Sequence, residues 1–212
     1  MSRDNTFVLA VESAICGGSV SLIGEGREIA NWIGSDSVSR AEDLLPDIDK
    51  LLVANNISRK EVGLIAVSAG PGSFTGIRIG IATALGLSRS LDAELSSVSV
   101  LKAMVFACES GPYPVAAVPV GRNAVCIQSF QKRDDEIATL NEPQTIREDA
   151  FLDTLQTKNG KTLVLHASLY KKASASSAII NSGENLAFAV GLMCIHQPSV
   201  RQIRPLSIGK SF

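Results

Sequence analysis

The chain has 212 residues, 45% of them apolar and 19% charged, with a formal net charge of −1. That apolar fraction excludes a disordered chain, and the near-zero charge excludes a strongly basic nucleic-acid binder. Its two histidines leave little material for a histidine-built metal site, and its length suits one large domain or two small ones.

Taken in chain order, the run over 6–11 (TFVLAV) is apolar throughout and rich in strand formers, which suits a strand buried on both faces. Small residues over 14–18 turn the chain. A second strand is expected over 19–23, a tight hairpin turn at Gly24-Glu25-Gly26 and a third strand over 27–33. Three strands joined by short turns make an antiparallel meander. The period then becomes helical over 39–55, where Leu44, Leu45, Ile48, Leu51 and Leu52 recur and Pro46 either starts or kinks the helix. Ser58 and Glu61 have the spacing of a capping box, leading into a buried strand over 62–68. A glycine-rich loop over 69–73 precedes a helix over 74–91 with Ile77, Ile81, Leu85 and Ala84 as its apolar face. A strand over 94–98 and a helix over 100–108 follow.

Gly111-Pro112-Tyr113-Pro114 cannot continue a helix and marks a boundary, giving an N-terminal domain over 1–110 and a smaller C-terminal one over 111–212. The first part carries 9 basic and 13 acidic side chains, net −4, and the second 11 and 8, net +3. Strands over 115–120, 124–131 and 136–140 form a second meander, with turns at Gly121-Arg122-Asn123 and 132–135. A helix near 147–155, a strand over 162–166 and a helix near 184–195 complete the chain, with a low-complexity surface loop over 173–177. Strands in threes ahead of alternating helices and strands are the order of a ribonuclease-H-like half, and it occurs twice. The fold class is therefore α/β, an actin-like pair of such halves with the second truncated and divergent, and not a plain doubly wound sheet.

Cys16, Cys108, Cys126 and Cys194 form no CxxC pair and read as buried small hydrophobes in a reducing compartment. The N-terminus lacks the pattern of a signal peptide, and the apolar run over 186–195 is too short to span a bilayer. A soluble, cytoplasmic protein is expected.

Most of the chemical information lies over 68–80 (SAGPGSFTGIRIG), between a buried strand and a helix. Such a place points free N–H groups outward, and the helix dipole favours an anion there. A phosphate-binding P-loop would need Lys-Ser/Thr after its last glycine, but Ile77-Arg78 follows Gly76. A dinucleotide fingerprint would need a different glycine spacing after the first strand. Two readings remain open: a phosphate or partner contact without catalysis, and glycines that let helix and strand pack closely. Ser73 and Thr75 are poor nucleophiles, because His166 and His196 lie in the other half.

The stretch over 70–87 (GPGSFTGIRIGIATALGL) resembles the hallmark of the bacterial TsaB family, also called YeaZ. So do the Glu12-Ser13 pair after the first strand and Leu44-Leu45-Pro46 in the first helix. The resemblance covers about 6–110 and is carried beyond that by element order. It implies a non-catalytic paralogue of the transferase TsaD, without cofactor or metal. Such a protein pairs with TsaD, and through it with the ATPase TsaE, in making threonylcarbamoyladenosine on tRNAs that read codons starting with A. Homodimers in the absence of TsaD, contact with tRNA only through partners, and docking through the two N-domain helices are implied as well. On this chain the implied interface comprises Gly70, Pro71, Gly72, Ser73, Phe74, Thr75, Gly76, Arg78, Ile79 and Thr83 with Leu44 and Ile48. The small residues Gly76, Gly80, Ala82, Ala84 and Gly86 are expected to be exposed for close helix approach. The alternative is an actin-like ATPase or kinase contacting nucleotide through the glycine-rich loop, Glu12 and Ser13. A metallopeptidase lacks ligands, since the histidines are not spaced as a His-x-x-x-His pair. The chain departs from the family at Arg40-Ala41-Glu42, at Val120-Gly121-Arg122 and at Pro205-Leu206-Ser207-Ile208.

Overall fold

Strand β1 (Phe7–Glu12) is the centre of the first sheet because nearly all its side chains are apolar and both of its faces are covered. In the computed structural model, which describes residues 7–15, 17–35, 40–156, 162–173 and 178–197, it pairs antiparallel with β2 (Ser19–Gly24) and parallel with β4 (Val62–Ser68). Strand β3 (Arg27–Ile33) closes the meander at one edge and β5 (Glu94–Val98) the other, giving the order β3-β2-β1-β4-β5. Leu9, Val11, Val20, Leu22, Ile65 and Val67 are sealed against helices α1 (Arg40–Ala54) and α2 (Phe74–Leu91). Each such side chain contributes roughly 1.5–3 kcal/mol of burial.

Local signals set most boundaries. The expected capping box at Ser58 and Glu61 is formed around a 3-10 turn that starts β4. Helix α2 is capped by the Ser73 side chain and ended by Asp92 in the left-handed conformation at φ 52°. Pro46 does not start α1, which begins at Arg40 and carries the proline inside it. The inward face of α2 also differs from expectation. Gly76, Ile77, Gly80 and Ala84 are buried, whereas Leu85 is exposed.

The second sheet repeats the first. Strands β6 (Val115–Pro119), β7 (Ala124–Arg133) and β8 (Glu136–Thr139) form its meander. Strand β10 (Leu163–Leu165) runs parallel to β6 and to β11 (Ile179–Asn181), so the order β11-β10-β6-β7-β8 matches β5-β4-β1-β2-β3 position by position. Helix α4 (Glu148–Gln156) and the single turn α5 (Ala167–Tyr170) cover the face built on Ala117, Val125 and Leu165. Strand β9 (Gln144–Arg147), α5 and β11 were not expected from sequence. β9 pairs with the start of β7 while β8 pairs with its end. Asn141 bridges the switch, its Oδ1 accepting the Ser129 N–H and its carbonyl accepting the Gln128 amide.

Helices α3 (Val100–Ala107) and α6 (Leu186–His196) join the sheets. Val100, Leu101, Met104 and Val105 of α3 pack with Ala116, Val118, Cys126 and Phe130 of the second sheet. Ala187, Val190, Met193 and Cys194 of α6 pack instead with Val8, Ala10, Ile23 and Ala66 of the first. A side chain at Gly191 would begin 2.3 Å from Ile23 Cδ1, so glycine sets the approach of α6. Ser19 Oγ accepts the Ala187 N–H, and the Asn185 amide donates to Glu28 and Ser21, tying the start of α6 to β2 and β3. Residues 174–177 of the loop expected over 173–177, Cys16, the side chains of 40–42 and the 205–208 departure lie outside the described residues.

Candidate functional site: the glycine-rich loop and the α1/α2 face

The loop over 69–73 leaves β4 at Ser68, whose Oγ accepts the Gly70 N–H, and enters α2 at its Ser73 cap, whose Oγ accepts the Gly76 N–H. What fills the space beside it is the chain's own turn after β1. The Ser73 N–H donates to the Ala14 carbonyl at 2.8 Å. The Ser13 hydroxyl donates to the Gly76 carbonyl, also at 2.8 Å. A Cβ at Gly72 would lie 2.6 Å from Ala14 Cβ, one at Gly76 2.2 Å from the Ser13 carbonyl, and one at Gly80 2.2 Å from Ser13 Oγ. Gly70, at φ +95°, meets Ile77 instead. Of the two readings the spacing left open, close intramolecular packing is the one this geometry supports.

Glu12 and Ser13 are correspondingly turned inward. The Glu12 carboxylate is 1% exposed and accepts the Ala14 N–H at 2.7 Å and the Ile15 N–H at 3.3 Å. A buried carboxylate is tolerable only with such donors, and here they fold the turn that docks against α2. A nucleotide contact at these two residues would have to displace bonds that hold the turn together. A concavity of about 360 Å³ lies between the sheets, lined by Ile33, Gly34, His166, Ser168, Lys171, Lys172 and Glu184, and does not include Glu12. Its lysines are already paired, Lys171 with Glu184 and Lys172 with Glu148. Among the described residues, no group of three or more His, Cys, Asp or Glu side chains could hold a metal ion, and no helix is long and apolar enough to cross a membrane.

The outward residues of the motif make a different surface. Gly70, Pro71 and Gly76 are buried and Gly72 half-buried, while Ser73, Phe74, Thr75 and Arg78 are exposed. The Arg78 guanidinium stacks over the Phe74 ring, 3.7 Å from its centre, on the solvent side. Ile79 packs on the core and Thr83 is half-buried. Leu44 corrects the sequence reading, because at 2% exposure it belongs to the chain's own core, while Ile48, at 3% just as buried, also lines the groove between α1 and α2. The exposed apolar residues of α1 are Leu45 and Val53. Gly76, Gly80 and Ala84 likewise face the sheet, and only Ala82 and Gly86 of the small residues are exposed. Between α1 and α2 runs a groove of about 520 Å³ lined by Leu45, Pro46, Leu52, Leu87 and Leu91, with Asp49 and Arg59 paired at its rim.

This is the architecture of an actin-like α/β protein, two ribonuclease-H-like halves that share their last helices. The fold is also that of component A of (R)-2-hydroxyglutaryl-CoA dehydratase from Acidaminococcus fermentans, with a TM-score of 0.53 at 10% identity over 88% of this chain and 96% of that one. It is closer to YeaZ from Pseudomonas aeruginosa, with a TM-score of 0.67 at 20% identity over 96% of this chain and 100% of that one. The chain is 30% identical over 122 residues to the tRNA threonylcarbamoyladenosine biosynthesis protein TsaB of Buchnera aphidicola, a match covering 56% of this chain and 55% of that protein. It thus spans about half the length of the curated relatives it matches. Residues 37–192 match the sequence profile of the family described as TsaD, tRNA N6-adenosine threonylcarbamoyltransferase. The chain belongs to that family, on its TsaB/YeaZ branch.

Proposed function

We propose that this chain is a non-catalytic scaffold in the cytoplasmic synthesis of threonylcarbamoyladenosine on tRNA, pairing with a TsaD-type transferase and, through it, with a TsaE-type ATPase. The α1/α2 face of the N-terminal half is the docking surface. Alone, the chain uses the same face to pair with a second copy, and it reaches tRNA only through its partners. The observation that carries this reading is the α2 motif itself. Gly72, Gly76 and Gly80 are taken up by the turn after β1, while Phe74, Arg78 and the groove beside Leu45 remain open to a partner. An exposed aromatic–arginine pair at the start of α2 and an apolar groove further along the same helix have the composition of interface anchors.

Mixing the purified chain with a TsaD-type protein tests the proposal. A stable complex that restores threonylcarbamoyl transfer to tRNA is expected. ATP hydrolysis by the chain alone, abolished by Glu12→Ala, would establish the nucleotide-enzyme reading instead. Thr83 stands one turn before the groove residue Leu87 on α2. Thr83→Arg is expected to abolish both the homodimer and the TsaD pair in gel filtration, and pairing left intact would remove this face from the interface.

A further inference from the structure

The turn after β1 enters α2 at an unusual place. Ser13 Oγ donates to the Gly76 carbonyl, within the first turns of α2, and it can sit there only because Gly80, one turn further on, has no side chain. A Cβ on Gly80 would stand 2.2 Å from Ser13 Oγ but 3.5 Å from Ser13 Cβ and 3.7 Å from Val67 Cγ2. The hydroxyl oxygen alone is therefore the obstacle, and the remaining distances are ordinary contacts. Gly76 differs, since a Cβ there would meet the Ser13 carbonyl at 2.2 Å and the Ala14 backbone at 2.9 Å. Glu12 holds this turn rigid through the Ala14 and Ile15 N–H groups.

We infer that Ser13, seated in the Gly76/Gly80 notch and braced by Glu12, is a positioning residue that fixes the placement of α2, and with it Phe74 and Arg78, for docking. This rests on the docking reading above. The notch is at the buried side of α2 and Phe74 and Arg78 on its exposed side, so a shift of the helix moves the anchor pair as a unit. A preorganised face loses affinity when its placement is disturbed, even where none of the contacting side chains is changed.

The chemistry of the notch gives a compensation test. Gly80→Ala, Ser13→Ala, Gly76→Ala and the double variants Ser13→Ala/Gly80→Ala and Ser13→Ala/Gly76→Ala are compared for affinity to a purified TsaD-type protein by calorimetry, the double variant below being Ser13→Ala/Gly80→Ala. Backbone amide exchange over 73–80 is measured alongside. Gly80→Ala is expected to weaken pairing about tenfold or more and to speed exchange. Ser13→Ala alone, which loses the bond to Gly76, is expected to weaken pairing measurably but less than Gly80→Ala does. The double variant, relieved of the obstructing oxygen, should return to the Ser13→Ala level in affinity and protection, whereas Ser13→Ala should not rescue Gly76→Ala. Pairing by Gly80→Ala or by Ser13→Ala equal to that of the parent, or a double variant no better than Gly80→Ala, overturns the inference. If the parent chain does not pair at all, the docking proposal fails. The placement of α2 is then judged by exchange alone, where absence of rescue in the double variant sinks it. A rescue specific to one glycine is not expected from a general loss of stability.

Discussion

At the scale of single residues, one cation organises the junction between the halves. The Lys132 ammonium, on β7, donates to the carbonyls of Val105, Phe106 and Cys108, where the end of α3 would otherwise leave acceptors without partners. Desolvation lowers its pKa, and the nearby Cys108, Asp135 and Glu109 oppose that shift. A positive charge also suits the negative end of the helix dipole. Replacing Lys132 with Met keeps the aliphatic stem and removes the donors. The variant is expected to lose about 1–3 kcal/mol of stability, read as a lower urea midpoint with an unchanged slope. A midpoint equal to the parent's would show that water replaces the lysine. Nothing in the sequence flags Lys132, because it looks like one more charge in a polar turn, and its partners come from an element far away in the chain.

At the scale of elements, α1 and α2 show how much a pattern can and cannot say. The leucines of α1 are legible as a helix from their spacing, yet neighbours at adjacent positions have opposite fates. Leu44 is buried and Leu45 is 52% exposed. Leu44→Ala should therefore cost about 2–5 kcal/mol, as large core truncations do, while Leu45→Ala should stay within about 0.5 kcal/mol in the isolated monomer. The docking proposal assigns Leu45 the opposite weight in pairing, where its truncation should raise the dissociation constant and leave the melting curve alone. In α2 the expected positions Ile77 and Ala84 are buried and Ile81 packs on the core, while Leu85 is exposed and Gly76 and Gly80 join the inward face, because hydrophobicity favours a leucine over glycines. Tertiary contact favours the glycines, since the turn after β1 must come within van der Waals distance of the helix backbone. The boundaries of β4 and α2 were nevertheless legible, being bracketed by local signals at Ser58 and in the glycine-rich loop ending at Ser73.

At the scale of the whole molecule, the two sheets are held together by exchanged helices, and buried thiols report on that joint. Cys194 on α6 lies against β4 and β5, and burial pushes its pKa up to about 11, with opposing bonds to Ser96 and the Val67 backbone. Cys126 on β7, packed under α3, is likewise pushed up by burial to about 11. A raised folded-state pKa leaves stability at its full value below the ordinary thiol pKa near 9 and removes it as pH climbs toward 11, because only the unfolded chain ionises readily in that window. Each thiol contributes at most about 1.4 kcal/mol of loss per pH unit. The fall in urea midpoint between these pH values should be shallower in Cys194→Ala than in the parent, and an identical slope would place the titration elsewhere. The sequence by itself determined the strand and helix order of the first half, the duplicated meander and the motif that marks the family, because each depends on local periodicity, turn residues or a contiguous string. Only the tertiary structure decided that α3 and α6 cross to the opposite sheets, that β9 completes the edge of β7, and that Gly72, Gly76 and Gly80 lie against Ser13 and Ala14. Those outcomes depend on which surfaces meet across long stretches of chain, and a run of glycines is compatible with a ligand or with a close-packed turn until the neighbour is known.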